Sequence, residues 1–113
     1  QNSDDFMPAM PVIISDDRVQ HILYGNETGG GHKHGVGKPC KSEFPQSWGE
    51  DKIIDVTRQI AANDNLPWER QGNGYYVAED YVDDIRVRVV KGAQKQRVIT
   101  AYPTNVARNP CPL

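Results

Sequence analysis

The sequence lacks the features of a membrane protein and of an exported precursor. None of its apolar runs approaches the roughly 20 residues that a bilayer-spanning helix needs, and the mean hydropathy is -0.68. The first residues, QNSDDFMPAMP, have no basic start, apolar middle or small-residue cleavage site, so they do not resemble a signal peptide. We expect residues 1–14 to be a flexible lead-in, consistent with the cut edge of a longer polypeptide, and residues 15–113 to form one domain with a modest core.

Acidic residues are missing from two stretches, although the formal net charge is -2. No Asp or Glu occurs in residues 29–42 or 85–113, whereas ten of the fifteen acids lie in residues 43–84. The second acid-free stretch contains six cationic side chains: Arg86, Arg88, Lys91, Lys95, Arg97 and Arg108. A chain that segregates its charge in this way can present a face that attracts phosphate. The alternative is that these cations only solvate exposed strands.

Cysteine is scarce, with only Cys40 and Cys111 in the chain. The two could form one disulfide between the C-terminal tail and the loop that follows the glycine run, although the separation of their Cα atoms decides this. The basic residues beside Cys40 would serve a phosphate as well as a reactive thiol. We therefore favour a structural pair over a catalytic cysteine.

Two helices are expected in the first two thirds of the chain. Ser15 is a suitable N-cap for a short helix of about ten residues that carries His21. A second helix should begin at a capping box formed by Ser47 and Glu50 and should end near Asn65, since a proline follows.

Strand periodicity replaces helical periodicity after residue 74. We expect strands at 75–78, 84–91 and 96–102, with the last two joined as a hairpin through Gly92. In the last strand, alternation places Val98, Thr100 and Tyr102 on one face. Thr and Tyr are common strand residues, so their two hydroxyls matter only if the histidines face the same surface. Helices first and strands last predict an α+β fold.

All three histidines lie at the two ends of a glycine run, in HILYGNETGGGHKHG. His32 and His34 could chelate Zn²⁺ with His21 as a third ligand. The loop offers no Asp, however, and Lys33 between the paired imidazoles adds an opposing charge. The histidines could also merely fill surface positions of the loop.

Acid–base chemistry on RNA is the other interpretation. A 2′-hydroxyl can attack its own phosphate when one group removes its proton and another protonates the departing 5′-oxygen, and imidazoles suit both tasks near neutral pH. A lysine or the backbone amides of residues 29–31 could stabilise the charge on the phosphate. The candidates are His21, His32 and Lys41.

Five blocks of the sequence occur in an order that resembles one family. They are HILYG, GGGHKHG, GKPCKSEFP-x-x-W, DKII and ITAYPTN-x-x-R-NP. Together they resemble the bacterial EndoU-type endoribonucleases, which are toxin domains at the C-terminal ends of large contact-dependent inhibition and polymorphic toxin proteins. The resemblance covers roughly residues 19–110.

The resemblance implies specific roles for individual residues. His21 and His32 correspond to the family's catalytic histidines, and Lys41 corresponds to its catalytic lysine; His34 has no counterpart. Two other lysines are less favoured for that role: Lys38 and Lys52. The substrate-contacting hydroxyl and aromatic ring correspond to Thr100 and Tyr102. Three further residues are expected at the substrate: Gly30, Gly31 and Ser42.

The resemblance also implies a fold and an activity. The fold is that of the barnase, EndoU, colicin and RelE group, in which N-terminal helices pack on a curved antiparallel sheet whose concave face holds RNA, here with Arg86 and Arg88 near the phosphate path. The implied activity needs no metal or other cofactor. It is endonucleolytic cleavage of single-stranded RNA at uridine, with transfer RNA as a candidate substrate, leaving a 2′,3′-cyclic phosphate and a 5′-hydroxyl. A metal-dependent nuclease that uses the His-x-His pair and a non-catalytic RNA-binding module stay as alternatives.

The biological setting is likewise implied by the resemblance alone. The domain would be secreted as the C-terminal part of a large cell-surface effector and would act in the cytoplasm of a target bacterium, inhibiting the growth of neighbouring cells. Its partners would be the RNA substrate and a cognate immunity protein, acidic against the basic face. No membrane partner is expected.

Overall fold

The computed structural model of the protein describes residues 12–111. Within this part of the chain, two helices pack on an open antiparallel sheet of strand order β1-β2-β3-β4. The elements are α1 (Asp16–Leu23), α2 (Glu50–Ala61), β1 (Glu69–Arg70), β2 (Tyr76–Val82), β3 (Ile85–Lys91) and β4 (Val98–Pro103). The predicted α+β class is confirmed, and so is the β3–β4 hairpin. The two-residue β1 carries no periodic signal and was missed. None of the described helices is long and apolar enough to cross a bilayer.

One face of the sheet and the apolar sides of both helices form the core. In β3, Val87 and Val89 are fully buried, whereas Arg86 and Arg88 extend from the opposite face. The principal buried residues that meet them from the other elements are Ile22, Leu23, Ile53, Ile60, Val98 and Ala101. The sheet therefore has an apolar face under the helices and a polar face on the other side.

Both predicted helices are present, but the second has different ends. Its N-cap is Gly49, with no side-chain cap, so the predicted capping box at Ser47 is wrong. Ser47 lies in a turn closed by the Trp48 amide and the Pro45 carbonyl, which lets the Trp48 side chain enter the core. The helix also ends at Ala61, four residues before the expected end.

A bulge in β4 corrects the predicted alternation. The register of its pairing with β3 shifts by one residue: Val90 pairs with Thr100, but the next residue, Lys91, pairs with Val98. The additional residue turns Val98 into the core, away from the face that carries Thr100 and Tyr102.

Lys91 does not belong to a cationic face, contrary to the sequence-based expectation. Its side chain is 1% exposed, and its ammonium donates to the Ala61 carbonyl at 2.8 Å and lies 3.9 Å from the centre of the Trp68 ring. Burial lowers the pKa of Lys91. The residue thus completes the C-terminal end of α2, where a cation is favourable.

Most of the predicted lead-in lies outside the described residues. Of its last three residues, Ile13 exchanges backbone hydrogen bonds with Gln96 and Val98, and Val12 and Ile14 pack against the core. These three residues lie along the start of β4.

Candidate active site

The end of α1 brings together the segments that precede and follow the glycine run. Carbonyl groups in the last turn of a helix have no partner within it. Here the amides of residues 31–33 donate in register to the carbonyls of residues 21–23, at 2.8–3.0 Å. His32 is therefore set beside the last turn of the helix that carries His21.

Gly30 makes this close approach possible. Its φ is +82°, and a Cβ atom there would lie 1.9 Å from the His21 carbonyl oxygen and 2.9 Å from the His21 Cδ2. Any larger side chain would push the loop away from His21. The amides of Gly29 and Gly31 already donate to the carbonyls of Asn26 and His21, so the expected anion contacts from these two amides are not available.

The His21 ring is oriented by Asn26 and Thr28. Its Nδ1 lies 3.0 Å from the Asn26 Oδ1 and 3.2 Å from the Thr28 Oγ1. The Thr28 amide and hydroxyl both donate to the Asn26 Oδ1, which identifies that atom as an acceptor. His21 Nδ1 must then carry the proton, and Nε2 is the nitrogen left for a reacting group.

The His32 ring is buried and held in the same tautomer. Its Nδ1 donates to the Ser42 carbonyl at 2.6 Å, and the ring stacks on Tyr102 with centroids 5.4 Å apart. Burial lowers the pKa of His32, and the nearby positive charge of Lys41 lowers it further, against the opposing effect of the hydrogen bond to Ser42. The imidazole is consequently neutral at pH 7, with a free lone pair on Nε2.

Residues 40–44 are held on their other side by the C-terminal segment. The Asn109 amide donates to the Lys41 carbonyl at 2.9 Å, and the Ser42 hydroxyl donates to the Pro103 carbonyl at 2.7 Å. A disulfide joins Cys40 to Cys111, so the favoured structural pair is confirmed. The Ser42 hydroxyl, expected at the substrate, is thus already engaged by the protein.

Of the three candidate lysines, Lys41 is the one that reaches the histidines. Its Nζ lies 3.5 Å from the position that a Cβ atom on Gly29 would occupy, and His21 Cε1 lies 4.0 Å from that same position. Lys52 pairs instead with Asp83, and the Lys38 stem packs along Gly31.

These side chains line one cavity of about 300 Å³. Seven of the eight predicted site residues are among its walls: His21, His32, Lys41, Ser42, Gly30, Thr100 and Tyr102. Gly31 is not among the lining residues. Among residues 12–111, the lining of the cavity has two cationic side chains, Lys41 and Arg108, and no Asp or Glu. It is therefore suited to an anion such as a phosphodiester.

Thr100 and Tyr102 form the β4 wall of the cavity, as strand alternation predicts for these two residues. The Thr100 Oγ1 is buried and has no hydrogen-bond partner within residues 12–111. Such an unpaired buried hydroxyl is costly unless a ligand supplies the partner. The Tyr102 hydroxyl accepts a hydrogen bond from Arg88 at 3.4 Å. This bond and the contact of Arg88 with Glu79 raise the pKa of the Arg88 guanidinium.

Comparison with known proteins adds a family to this geometry. The bacterial EndoU nuclease family model matches residues 35–105, well over half of the chain. The chain belongs to this family. The matched segment includes Lys41, Thr100 and Tyr102, and it begins after both candidate catalytic histidines. No curated protein and no solved structure matched the chain.

Three residues of this EndoU domain were missed as site residues. Asn26 and Thr28 orient His21, and their signal was an Asn-x-Thr turn directly before the glycines. Arg108 lines the cavity because its backbone pairs with that of Ser42. Arg108 belongs to the last sequence block quoted above, ITAYPTN-x-x-R-NP, but only its backbone pairing with Ser42 shows that it reaches the site.

His34 does not join the other two imidazoles of the EndoU site. It is half-exposed, and its Nδ1 lies 4.0 Å from the Glu43 carboxylate. Glu43 accepts hydrogen bonds from the amides of Gly35 and Gly37. Burial raises the pKa of Glu43, but these two bonds and one from Asn109 outweigh it, so the pKa is lowered overall. Within residues 12–111, no three or more His, Cys, Asp or Glu side chains are placed to hold a metal ion.

Proposed function

We propose that this EndoU domain is an endoribonuclease that cleaves single-stranded RNA by acid–base catalysis without a metal ion. The observation that carries the proposal is the placement of His21, His32 and Lys41 around one acid-free cavity. Two imidazoles and an ammonium supply a base, an acid and a positive charge, which is the complete set that transesterification of RNA requires.

His32 acts as the general base. Its neutral Nε2 accepts the proton of the ribose 2′-hydroxyl, and the 2′-oxygen forms a bond to the adjacent phosphorus. His21, protonated on Nε2, gives its proton to the 5′-oxygen as the bond between phosphorus and that oxygen breaks. The products are a 2′,3′-cyclic phosphate and a 5′-hydroxyl. Both histidines are buried, and the lowered pKa of His32 supports this order of the two.

Lys41 stabilises the negative charge that develops on the phosphate. Its ammonium lies at the glycine run near His21, in a cavity whose lining has no carboxylate among residues 12–111, so its positive charge is suited to a phosphate. In acyl transfer, loss of a single donor to the developing oxyanion reduces turnover by about 10²–10³-fold.

Thr100 and Tyr102 are proposed to hold the base at the cleavage site, with uridine preferred. The support is the unpaired Thr100 hydroxyl and the Tyr102 ring on the same wall, together with the family resemblance. Transfer RNA is the proposed natural substrate.

The test is incubation of the protein with total RNA in the presence of a chelator, followed by mapping of the new termini. His21→Ala and His32→Ala should each abolish cleavage, while His34→Ala is a matched histidine control outside the cavity and should keep full activity. Replacement of the attacking 2′-hydroxyl by hydrogen should also stop the reaction. Cleavage of the deoxy substrate, or dependence on a divalent metal, would overturn the mechanism.

The proposed setting is the one that the family resemblance implies. The domain would be the toxic C-terminal part of a secreted cell-surface effector, active in the cytoplasm of a target bacterium and silenced in its producer by an immunity protein. An acidic immunity protein that covers Lys41 and Arg108 should inhibit RNA cleavage at equimolar concentration. An immunity protein that leaves cleavage unchanged would contradict this part of the proposal.

A further inference from the structure

A second cavity, of about 590 Å³, lies on the polar face of the sheet and shares Tyr102 with the first. Its floor is a row across three strands, in which Glu79 pairs with Arg88 and Arg88 pairs with Tyr102. Pairing in register makes this row continuous from the catalytic cavity to β2. The main polar lining residues are Glu69, Gln71, Glu79, Arg86 and Arg88.

The charges of the two cavities differ. Counting the part of the chain that the structure describes, the catalytic cavity is lined by two cations and no acid, whereas the second is lined by two carboxylates and two guanidiniums. A phosphate would therefore be drawn to the first cavity. The second cavity matches a neutral group that carries both hydrogen-bond donors and acceptors, as a nucleobase does.

Hydrogen-bonding capacity remains for such a ligand. The Glu79 carboxylate, 15% exposed, accepts from Arg88 at 2.6 Å and also contacts Arg86. Arg86 uses one of its terminal nitrogens in this contact, and its side chain is 48% exposed. Because a guanidinium has five N–H donors and Arg86 lines the cavity, Arg86 keeps donors for a ligand there.

On the basis of the proposed function, we propose that the second cavity is a subsite for the base of the nucleotide next to the cleavage site. Tyr102 separates the two subsites, and consecutive nucleotides of a single strand lie on its two sides. Arg86 donates to an acceptor on the base edge. The domain is accordingly selective for the base beside the cleaved linkage, on one side of it.

Binding of non-cleavable oligonucleotides tests the subsite separately from catalysis. The probes are fluorescent tetranucleotides with one central 2′-deoxyuridine and either a full set of bases or an abasic site directly 5′ or 3′ of it. Fluorescence anisotropy measures their affinity for the wild-type protein. One of the two abasic probes should bind about tenfold more weakly, which is near the low end of the loss measured when one base–aromatic contact is removed. Equal binding of all three probes would overturn the proposal without use of any variant.

Arg86→Gln should weaken binding of the full probe several-fold and cause no further loss for the abasic probe that already binds weakly. The matched control is Arg58→Gln on α2, because Arg58 is also half-exposed and paired with a carboxylate, that of Asp55. Arg58→Gln should leave all affinities unchanged. Equal losses for Arg86→Gln on the full and abasic probes would indicate a phosphate contact and refute base binding. No effect of Arg86→Gln on any probe would assign the face to another class of partner, such as a protein, and also refute it.

The ribose version of the full probe distinguishes the two proposals. If the wild-type protein binds the probes as expected but does not cleave the ribose version, the proposed function fails while the subsite stands. If it cleaves the ribose version but binds the full and abasic probes equally, the subsite fails while the function stands.

Discussion

Substitution of Gly30 by alanine should damage the proposed catalytic site far more than the same substitution at Gly35. Both glycines are in the same loop and have a positive φ, +82° at Gly30 and +91° at Gly35. Alanine pays a similar conformational cost at both, roughly 1–2 kcal/mol. The difference lies in what a Cβ atom meets. At Gly35 nothing lies within 4 Å, whereas at Gly30 the His21 carbonyl oxygen lies at 1.9 Å.

The magnitude follows from that distance. Cβ atoms essentially never approach another heavy atom closer than 3.0 Å, so the loop and the His21 backbone must separate by about 1 Å in Gly30→Ala. A misplacement of about 1 Å of a catalytic group can cost about 100-fold in rate. We expect Gly30→Ala to lose about 100-fold in RNA cleavage and more stability than Gly35→Ala, which should keep nearly full activity.

Cleavage of a fluorogenic RNA substrate measures the rate, and urea denaturation measures the free energy of unfolding. Equal activity and equal stability of the two variants would refute the argument that Gly30 is required for the approach of the loop to His21. A stability difference without an activity difference would show that the approach matters for folding but not for the position of the catalytic groups.

Three further outcomes are expected. An NMR titration should show the pKa of His32 below its usual value near 6.5, and Lys41→Gln should raise that pKa because a neighbouring positive charge is removed. As the pH falls below 6.5, the unfolded chain binds a proton at His32 before the folded protein does, so the free energy of unfolding should fall. An unshifted pKa would contradict the burial argument. Thr100→Val should increase the free energy of unfolding by about 1 kcal/mol, because an unpaired buried hydroxyl is removed, yet should lower kcat/KM for RNA; reduced stability would show that the hydroxyl has a partner in the free protein. Reduction of the disulfide between Cys40 and Cys111, which are 71 residues apart, should lower the free energy of unfolding by about 4 kcal/mol in the chain-entropy view; urea denaturation with and without dithiothreitol measures this, and identical curves would contradict it.

The sequence was most informative where a signal is local. Alternation in β3 predicts that Arg86 and Arg88 share one face and oppose Val87 and Val89. The structure has this arrangement, with the two valines in the core. Helical periodicity correctly located α1 and α2, and the change of period correctly predicted α+β. Helix ends were less predictable, because the turn that buries Trp48 outweighs the capping preference of the preceding serine.

The candidate site depends on both the local sequence and the tertiary structure. Residue types and their order along the chain pointed to His21, His32, Lys41, Thr100 and Tyr102, and two acid-free stretches pointed to an anion-binding surface. Their placement around one cavity required pairings that no local pattern encodes. The loop amides satisfy the free carbonyls of α1, and the segment that follows is tied to residues 103–111 by backbone bonds and the disulfide.

Chemical identity and strand or helix period were thus determined by the sequence itself, because they depend on residues close together along the chain. The direction of Val98, the burial of Lys91 and the arrival of Arg108 at the cavity were decided only by tertiary structure. A one-residue bulge reverses a side chain, a helix end recruits a cation, and a backbone pairing brings a distant residue to the site. Each of these depends on a partner far away in sequence, and such a partner becomes known only once the chain is folded.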